Sequence, residues 1–313
     1  MIRMGLNMRS RIFRVILGLM PVFFLQSCFT GVESTGKITL SKKDMAVIVP
    51  SQEELFLADI QPETVKDWKP GKQFVVTDDK LRYVLEGAST KPLTKGDTIV
   101  FDRVESRYSA GGGESSLLVF KRNGSTFVYP LEKNIENAEK DFTSSQLPMM
   151  IDLDIVETVK QKLEGKKLWT RSSLWYDDSL KYQKGGKYID VTVDDVSCGD
   201  SFFPLLVKFT DSANKTGYYL MNIGNTGNES RSFSRLFYLS DPRNVYRQIS
   251  DENWLAIQKE ELRIGMTKEE CRLSKGTPSD MDAGHSYSST MEIWKYSDGT
   301  ILRFVDGQLI SYQ

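Results

Sequence analysis

The chain has 313 residues, which is room for two or three domains of roughly 100 to 150 residues each. Its hydrophobic content of 40% and charged content of 27% are ordinary for globular proteins, so disorder, collagen and a multispan membrane protein are excluded. The 41 basic and 42 acidic residues nearly cancel, so no global positive field favours nucleic acid as a partner. One histidine and three cysteines leave too few ligands for zinc or thiol-imidazole chemistry. We therefore expect no metal, no cofactor and no nucleic acid.

The N-terminus has the pattern of a secretion signal. Four arginines and no acidic residue occupy residues 1–14, and an apolar run follows over residues 15–25. This run is too short to span the roughly 30 Å of a bilayer's hydrocarbon core, so it indicates a signal peptide and not a membrane anchor. We predict a signal peptide over 1–27 and a linker rich in Thr, Gly, Ser and Lys over 28–45.

The last residues of the predicted signal peptide, together with Cys28, resemble a known sequence motif. Leu25-Gln26-Ser27-Cys28 resembles the lipobox of bacterial lipoproteins, with Gln26 at a position where a small residue is more usual but which the Bacteroidetes-type pattern tolerates. The resemblance implies that Cys28 is acylated and becomes the mature N-terminus, and its acyl chains would hold the protein on a membrane. The alternative is an ordinary cleaved signal in which Cys28 is incidental.

The residues after the lipobox bear on localisation. Phe29 stands where an Asp would resemble an inner-membrane retention signal, and residues 29–33 lack the acidic cluster that resembles a surface-export signal. We therefore expect a lipid-anchored protein on the periplasmic face of the outer membrane, with an envelope protein as partner. In that oxidising compartment Cys198 and Cys271 allow one disulfide, but they fall in different predicted domains, so two free thiols are favoured.

Residues 46–150 are predicted to form a first small β module. Short β-branched or aromatic runs occur at 71–85, 98–104, 117–121 and 126–131, and turn signals separate them. Asn123-Gly124 is a strong hairpin signal, because both central residues of such a turn adopt positive φ. The spacing predicts an antiparallel barrel or sandwich.

Residues 151–245 are predicted to form a helix and a second β module. Ile151, Ile155, Val159 and Leu163 recur every fourth residue and predict an amphipathic helix over 151–163. From Gly165 the order of strand signals in the first module recurs at a nearly constant offset, which predicts either a duplicated β module or a chance similarity between β-rich segments. Compact modules of this kind in envelope proteins resemble bacterial SH3-like barrels.

Residues 246–313 have the pattern of an α+β unit. Ser250 begins one predicted helix, and Thr267 with Glu270 forms a capping box that begins a second. Strands are predicted at 291–296, 300–305 and 308–312, joined by Asp-Gly turns. We therefore expect a multi-domain chain with two small antiparallel β barrel-like modules followed by two helices on a three-stranded meander.

The C-terminal motifs carry a second resemblance. Gly265-Met266-Thr267-x-x-Glu270, Gly276-x-Pro278, Trp294-x-Tyr296 and Phe304-x-Asp306-Gly307-x-Leu309 resemble the SmpA/OmlA (BamE-like) domain of outer-membrane lipoproteins. The resemblance implies scaffolding and protein contact in the envelope, including outer-membrane assembly or maintenance, without catalysis. Ser274 and Lys275 depart from the family's apolar helix end, and related folds also occur in secreted enzyme inhibitors.

Sequence patterns for catalysis are weak. Ser212 and Lys215 have the spacing of a penicillin-binding nucleophile but lack its companion triplets. The pairs Asp177-Asp178 and Asp194-Asp195 are adjacent in sequence, so on a strand at most one member of each faces any site. We predict that the protein is not an enzyme, and a hydrolase is the least favoured function.

Two surfaces are candidates for binding. Alternation along strand 300–305 places Ile301, Arg303 and Val305 on one face, predicted to be exposed, with the intervening side chains toward the helices. The second candidate is the aromatic-rich window 169–188, whose Trp175 and Tyr176 are candidate contacts for a glycan or peptidoglycan. The interpretation favoured for this window is that its rings belong to the core of the second β module, with glycan or peptidoglycan binding as the alternative function.

Overall fold

The computed structural model describes residues 50–87, 91–109, 112–223, 231–286 and 289–313, without the side chains of residues 285 and 286. These residues form three antiparallel sheets with a few helices. The prediction of a chain dominated by antiparallel sheet is therefore confirmed. The predicted signal peptide, Cys28 and the linker lie outside the described residues.

The first sheet is built from five strands in the order β4-β3-β2-β1-β5. In the chain, a short helix α1 (Gln52–Leu55) precedes the first strand, and helix α2 (Ile135–Asp141) lies between β4 and β5. Its core contains Trp68, Phe74 and Phe120, which are buried against one another. The strands are β1 (Gln73–Val76), β2 (Thr98–Tyr108), β3 (Glu114–Arg122), β4 (Ser125–Leu131) and β5 (Met150–Asp152).

Two sequence signals in this region had different outcomes. Asn123 and Gly124 adopt φ of 48° and 80° between β3 and β4, which confirms the predicted hairpin turn. Only part of the run 71–85 is a strand, because β1 ends at Val76. Asp78 then accepts a hydrogen bond from the Lys80 amide at 2.8 Å and begins a 3-10 helix. The local side-chain bond thus competes successfully with the sheet.

The helix predicted over 151–163 begins later than expected. Ile151 lies on β5 and pairs with Val75, and helix α3 (Leu153–Leu163) starts only after Asp152. The Asp152 side chain accepts from the Asp154 amide at 3.1 Å and caps the helix. The prediction that Ile151 is helical is therefore wrong, and α3 turns Val156, Val159 and Leu163 toward the second core.

The second sheet has seven strands in the order β12-β6-β9-β10-β11-β7-β8. Its core contains Trp175, Phe209, Tyr219 and Phe237. Leu57 and Ile60, which follow α1, also pack in this core. The elements are β6 (Lys167–Thr170), β7 (Leu174–Tyr176), β8 (Tyr182–Lys184), β9 (Asp190–Cys198), β10 (Leu205–Asp211), β11 (Thr216–Met221), α4 (Phe233–Leu236) and β12 (Phe237–Tyr238).

The first two sheets share one strand order. In the first sheet the order β4-β3-β2-β1-β5 places the last strand beside the first, and β11-β10-β9-β6-β12 repeats this arrangement in the second. A bridge between Glu86 and Val128 joins the β1–β2 connection to β4, and a pairing of Tyr176 with Tyr218 joins β7 to β11 in the corresponding place. The β7–β8 hairpin is thus an addition to the strand order that the two sheets share.

The third sheet has four strands, not the three predicted. Asp280–Ser286, where the sequence analysis predicts no strand, forms an edge strand β13 that pairs with β14. Lys295 Nζ lies 3.1 Å from an Asp280 oxygen and 2.7 Å from an Asp282 oxygen, and these ion pairs link the two strands. The other elements are α5 (Asp251–Gln258), α6 (Lys268–Lys275), β14 (Ser289–Lys295), β15 (Ile301–Val305) and β16 (Gln308–Tyr312).

The predicted capping box begins α6. Thr267 Oγ1 accepts from the Glu270 amide at 3.2 Å, and a Glu270 carboxylate oxygen accepts from the Thr267 amide at 2.7 Å. Ser274, where the sequence departs from the BamE-like pattern, is only 1% exposed, and its hydroxyl donates to the Glu261 carbonyl at 2.8 Å. The polar residue therefore fits the helix end because its hydroxyl has a partner.

Replacing Thr267 with Ala tests the capping box. The variant loses the acceptor for the Glu270 amide, so we expect the free energy of unfolding to fall by about 1 kcal/mol in urea titrations. Thr267→Ser retains the hydroxyl and should stay close to the parent. Equal stability of the alanine variant and the parent would show that the box does not stabilise the helix start.

Candidate functional site

One face of the third sheet packs on the helices. Trp294, Leu302 and Phe304 are at most 1% exposed. The Trp294 and Phe304 rings lie 4.6 Å apart, and the Arg272 guanidinium lies 4.6 Å from the Trp294 ring. Met266 and Cys271 complete this core from the helix side. The strand alternation that buries these side chains turns their neighbours to the opposite face.

The opposite face presents apolar side chains around Arg303, bordered by the charged group of Lys295, Asp280 and Asp282. Across the sheet Arg303 lies opposite Ile293, and Val305 lies opposite Met291. We call this surface the outer sheet face; its residues are Met291, Ile293, Ile301, Arg303, Val305 and Ile310.

The outer sheet face is uncovered by the described parts of the chain. Met291 and Ile310 are each 47% exposed, and Ile293, Ile301 and Val305 are partly exposed without joining the core. A cluster of apolar side chains in this position is typical of a contact surface for another macromolecule. Ile301, Arg303 and Val305 thus lie together, as the alternation of β15 requires.

Arg303 is the unpaired charge of this surface. Its guanidinium makes no hydrogen bond or ion pair with any described residue, whereas the neighbouring Lys295 is paired with Asp280 and Asp282. A guanidinium presents a planar set of donors that matches a carboxylate, and its stem lies on apolar neighbours. The surface can therefore bind a partner that offers apolar side chains around an acceptor.

The sequence reasoning missed part of this surface. Met291 and Ile293 have the even spacing of a strand face, so the same alternation that found Ile301 could have found them. Ile310 could not be assigned, because the β15–β16 pairing shifts register beyond Arg303 and leaves Ile310 in an irregular position.

Trp175, a candidate contact of the aromatic window, is a core residue. It is fully buried, its ring meets Phe209 edge-on at 4.9 Å, and its indole N–H donates to the Ser172 carbonyl at 3.2 Å. A Cβ atom on Gly185 or Gly217 would lie 2.1 Å or 2.6 Å from its ring. These glycines let the backbone close over the indole, so Trp175 is a core residue, as the favoured interpretation of the window predicted, and it is not a candidate contact.

The other rings of the aromatic window point in different directions. Tyr176 is half-buried, and its hydroxyl accepts from Arg231 at 2.7 Å. Tyr188 is buried in the third core, whereas Tyr182 is 59% exposed. Trp169 is partly exposed. These rings therefore do not form one exposed platform.

Lys187 and Tyr188 connect the second sheet to the helices beneath the third. The Tyr188 ring stacks on Trp254 at 5.6 Å, and Lys187 Nζ donates to the Leu273 and Ser274 carbonyls at 2.9 Å and 3.3 Å. A positive charge beside the last carbonyls of α6 is stabilising, because the C-terminal end of a helix carries partial negative charge. Burial raises the pKa of Tyr188 and lowers that of Lys187. The contact fixes the third sheet on the second.

The groups considered for catalysis have structural partners. Asp195 lies 2.6 Å from Lys160 Nζ, an Asp194 oxygen accepts from the Thr210 hydroxyl at 2.7 Å, and an Asp177 oxygen accepts two amides of its own turn. Among the described residues no group of three or more His, Cys, Asp or Glu side chains is placed to hold a metal ion.

The two cysteines of the described chain are both free, as predicted. Burial raises the pKa of Cys198 and raises that of Cys271 to about 12. Both thiols are therefore protonated at neutral pH, which is unsuited to nucleophilic chemistry.

Comparisons with protein-family models, curated proteins and solved structures found no match to this chain. Within the described ranges no helix is long and apolar enough to cross a membrane.

The two faces of β15 predict opposite responses to mutation. Phe304→Ala empties a site in the third core, so we expect a loss of about 3 to 5 kcal/mol in the free energy of unfolding. Arg303→Glu alters an exposed face and should cost less than about 1 kcal/mol. Chemical denaturation of both variants measures the difference, and an equally large loss for Arg303→Glu would show that the arginine is a structural residue.

Proposed function

We propose that this protein is a lipid-anchored interaction or scaffolding protein on the periplasmic face of the outer membrane, where it acts in assembly or maintenance of that membrane. The outer sheet face is the observation that carries the proposal. Contact of apolar side chains with water is unfavourable, and a partner that covers the outer sheet face removes this contact. The unpaired Arg303 adds a requirement for an acceptor on the partner, which makes the contact selective.

The proposed anchor is Cys28, whose acylation rests on the lipobox resemblance. An acylated Cys28 would keep the protein in the vicinity of the membrane. This arrangement suits a scaffold, because tethering raises the effective concentration of the interaction surface near other envelope proteins.

We further propose two SH3-like modules and a BamE-like domain at the bounds that the sequence predicted, 46–150, 151–245 and 246–313. Strand β5 crosses the first bound, and Leu57 and Ile60 pack in the core of the second sheet. The shared strand order of the first two sheets supports a common ancestry of the modules. The packing of two helices on an antiparallel sheet supports the C-terminal resemblance, although β13 adds a strand to the expected meander.

The burial of rings in the aromatic window favours protein contact over glycan binding as the function. The burial of Trp175 and Tyr188 removes two of the rings on which that alternative depends. We also propose that the function is binding without catalysis, since the acidic pairs 177–178 and 194–195 supply turn bonds and ion pairs of the fold.

Affinity capture tests the proposed surface. With the full chain as bait in detergent-solubilised envelopes, we expect Arg303→Glu to reduce recovery of the principal co-purifying protein at least about tenfold, because a buried charge pair becomes a like-charge contact. Arg247→Glu, at an exposed arginine away from the outer sheet face, is the matched control and should capture normally. Equal recovery with both variants would contradict the assignment of the surface.

Replacement of Cys28 tests the anchor separately. Without the sulfur that accepts the lipid, Cys28→Ser should accumulate as unprocessed precursor or leave the membrane fraction. Fractionation followed by immunoblotting and metabolic labelling with a palmitate analogue measures both effects, with Cys198→Ser as the control. Normal maturation and membrane recovery of Cys28→Ser would refute the lipoprotein proposal.

A further inference from the structure

The third sheet ends in an edge strand that no described residue covers. β13 is seven residues long, and among the described residues only those of β14 form backbone hydrogen bonds with it. Alternate N–H and C=O groups along such a strand point away from the sheet, where an extended segment of another chain can pair with them. The backbone of β13 therefore offers an edge for strand addition.

The other five sheet edges in the described ranges are short, covered or blocked. β5, β8 and β12 have at most three residues each. The β4 edge is bonded at Val128 by Glu86 through two hydrogen bonds of 2.8 Å, and Pro130 on the same strand lacks an N–H. The β16 edge is bonded at Leu309, whose carbonyl accepts from the Gly265 amide at 2.8 Å. Among these edges β13 alone is both long and open.

One side of β13 carries an excess of negative charge. Asp282 lies opposite Ile293 and Asp280 lies opposite Lys295, so both acidic side chains are on the side of the sheet that faces away from the helices. Two carboxylates against the single Lys295 ammonium leave one negative charge in excess, and both carboxylates are more than half exposed. A strand added beside β13 therefore gains cross-strand ion pairs when its side chains on this side are basic.

The helix side of β13 favours a different kind of side chain. Met281 lies opposite the buried Trp294, and it is 54% exposed. The Arg272 guanidinium lies 4.6 Å from the Trp294 ring, and its Nη2 atom lies 3.9 Å from Met281 Sδ. A basic side chain added here would be repelled by Arg272, whereas an apolar side chain would remove Met281 from water. The two sides of β13 together select an alternating segment.

The same acidic side chains disfavour a second copy of the chain as the occupant. Pairing of two β13 strands would bring Asp280 and Asp282 of both copies to one short edge. Like charges on neighbouring strands are destabilising, and charged side chains on edge strands suppress pairing between identical sheets. The occupant is therefore a segment with the opposite charge.

We propose that β13 accepts an extended segment of another protein in which basic and apolar side chains alternate. The basic side chains lie beside Asp280 and Asp282, the apolar ones cover Met281, and the backbone bonds to the open edge. This contact goes beyond the one proposed for the outer sheet face, because it is made by backbone groups and does not use Arg303.

Synthetic peptides and calorimetry on the full chain, in a zwitterionic detergent, test the proposal. The probe has seven residues, the length of β13, and alternates lysine and valine. One control peptide groups the same residues into a lysine block and a valine block, and another has glutamate in place of lysine. We expect saturable binding of the alternating lysine peptide and binding at least about tenfold weaker for both controls.

Methylation of the peptide backbone separates strand addition from simple attraction between charges. Two further peptides carry N-methyl groups on all lysines or on all valines, with side chains unchanged. Because only alternate N–H groups of an added strand face β13, one of these peptides should bind at least about tenfold more weakly and the other within about twofold of the probe. Equal affinity of the two methylated peptides, or no binding of the probe, would overturn the proposal.

A variant of β13 tests the location. Asp282→Asn removes a carboxylate from the edge, so we expect the probe to bind about three- to tenfold more weakly. Asp178→Asn, at an exposed aspartate on the second sheet, is the matched control and should bind normally. Hydrogen exchange at the β13 amides shows whether the strand is intact in Asp282→Asn and should slow in the parent when the probe binds. Unchanged affinity of Asp282→Asn, or no protection of these amides, would contradict the proposal.

Arg303→Glu distinguishes this contact from the proposed outer sheet face. Arg303 lies two strands from β13, which is roughly 10 Å. We expect this variant to bind the probe within about threefold of the parent, even where it loses protein capture. Loss of probe binding in Arg303→Glu would place the peptide on the outer sheet face and overturn the assignment to β13.

Discussion

Strand β5 belongs to two hydrophobic cores, and the arrangement of the first two sheets depends on it. Met150 packs in the core of the first sheet, whereas the next residue, Ile151, packs in the core of the second. Asp152 then caps α3 and pairs with the buried Lys72 at 3.0 Å. Leu57 and Ile60 strengthen the connection, because the described chain contributes to the second core before it forms the first sheet. The two sheets consequently share an interface that neither would bury alone.

Packing between neighbouring sheets continues to the third sheet, and it gives the proposed function a physical basis. Tyr188 and Lys187 follow the second sheet and contact the helices α5 and α6, and Tyr188 belongs to the same core as Trp294 and Phe304. The outer sheet face is therefore presented on a support whose side chains are already ordered. Binding through an ordered surface avoids much of the conformational entropy that a flexible surface loses on association.

Local signals in the sequence predicted local structure well, and long-range pairing escaped them. The capping box of Thr267 and the turn at Asn123-Gly124 are decided by neighbouring residues, so both could be assigned before the fold was known. Strand β13 could not, because Asp280 and Asp282 disfavour a strand until Lys295 on β14 pairs with them. Ile151 fitted helical spacing but pairs with Val75, which lies far away in sequence. For the candidate site, alternation located Ile301, Arg303 and Val305, but burial of Trp175 depends on two glycines that approach its ring only in the folded chain.

Site-specific photo-crosslinking in intact cells tests most directly whether the outer sheet face contacts a protein. A photoreactive phenylalanine analogue at Ile301 would report directly on what covers this surface, and the same analogue at Leu255, which is 56% exposed on α5, would report on the helix side. We expect a discrete protein adduct from position 301 and none from position 255. Adducts from position 255 alone, or adducts to lipid and water only at position 301, would contradict this expectation.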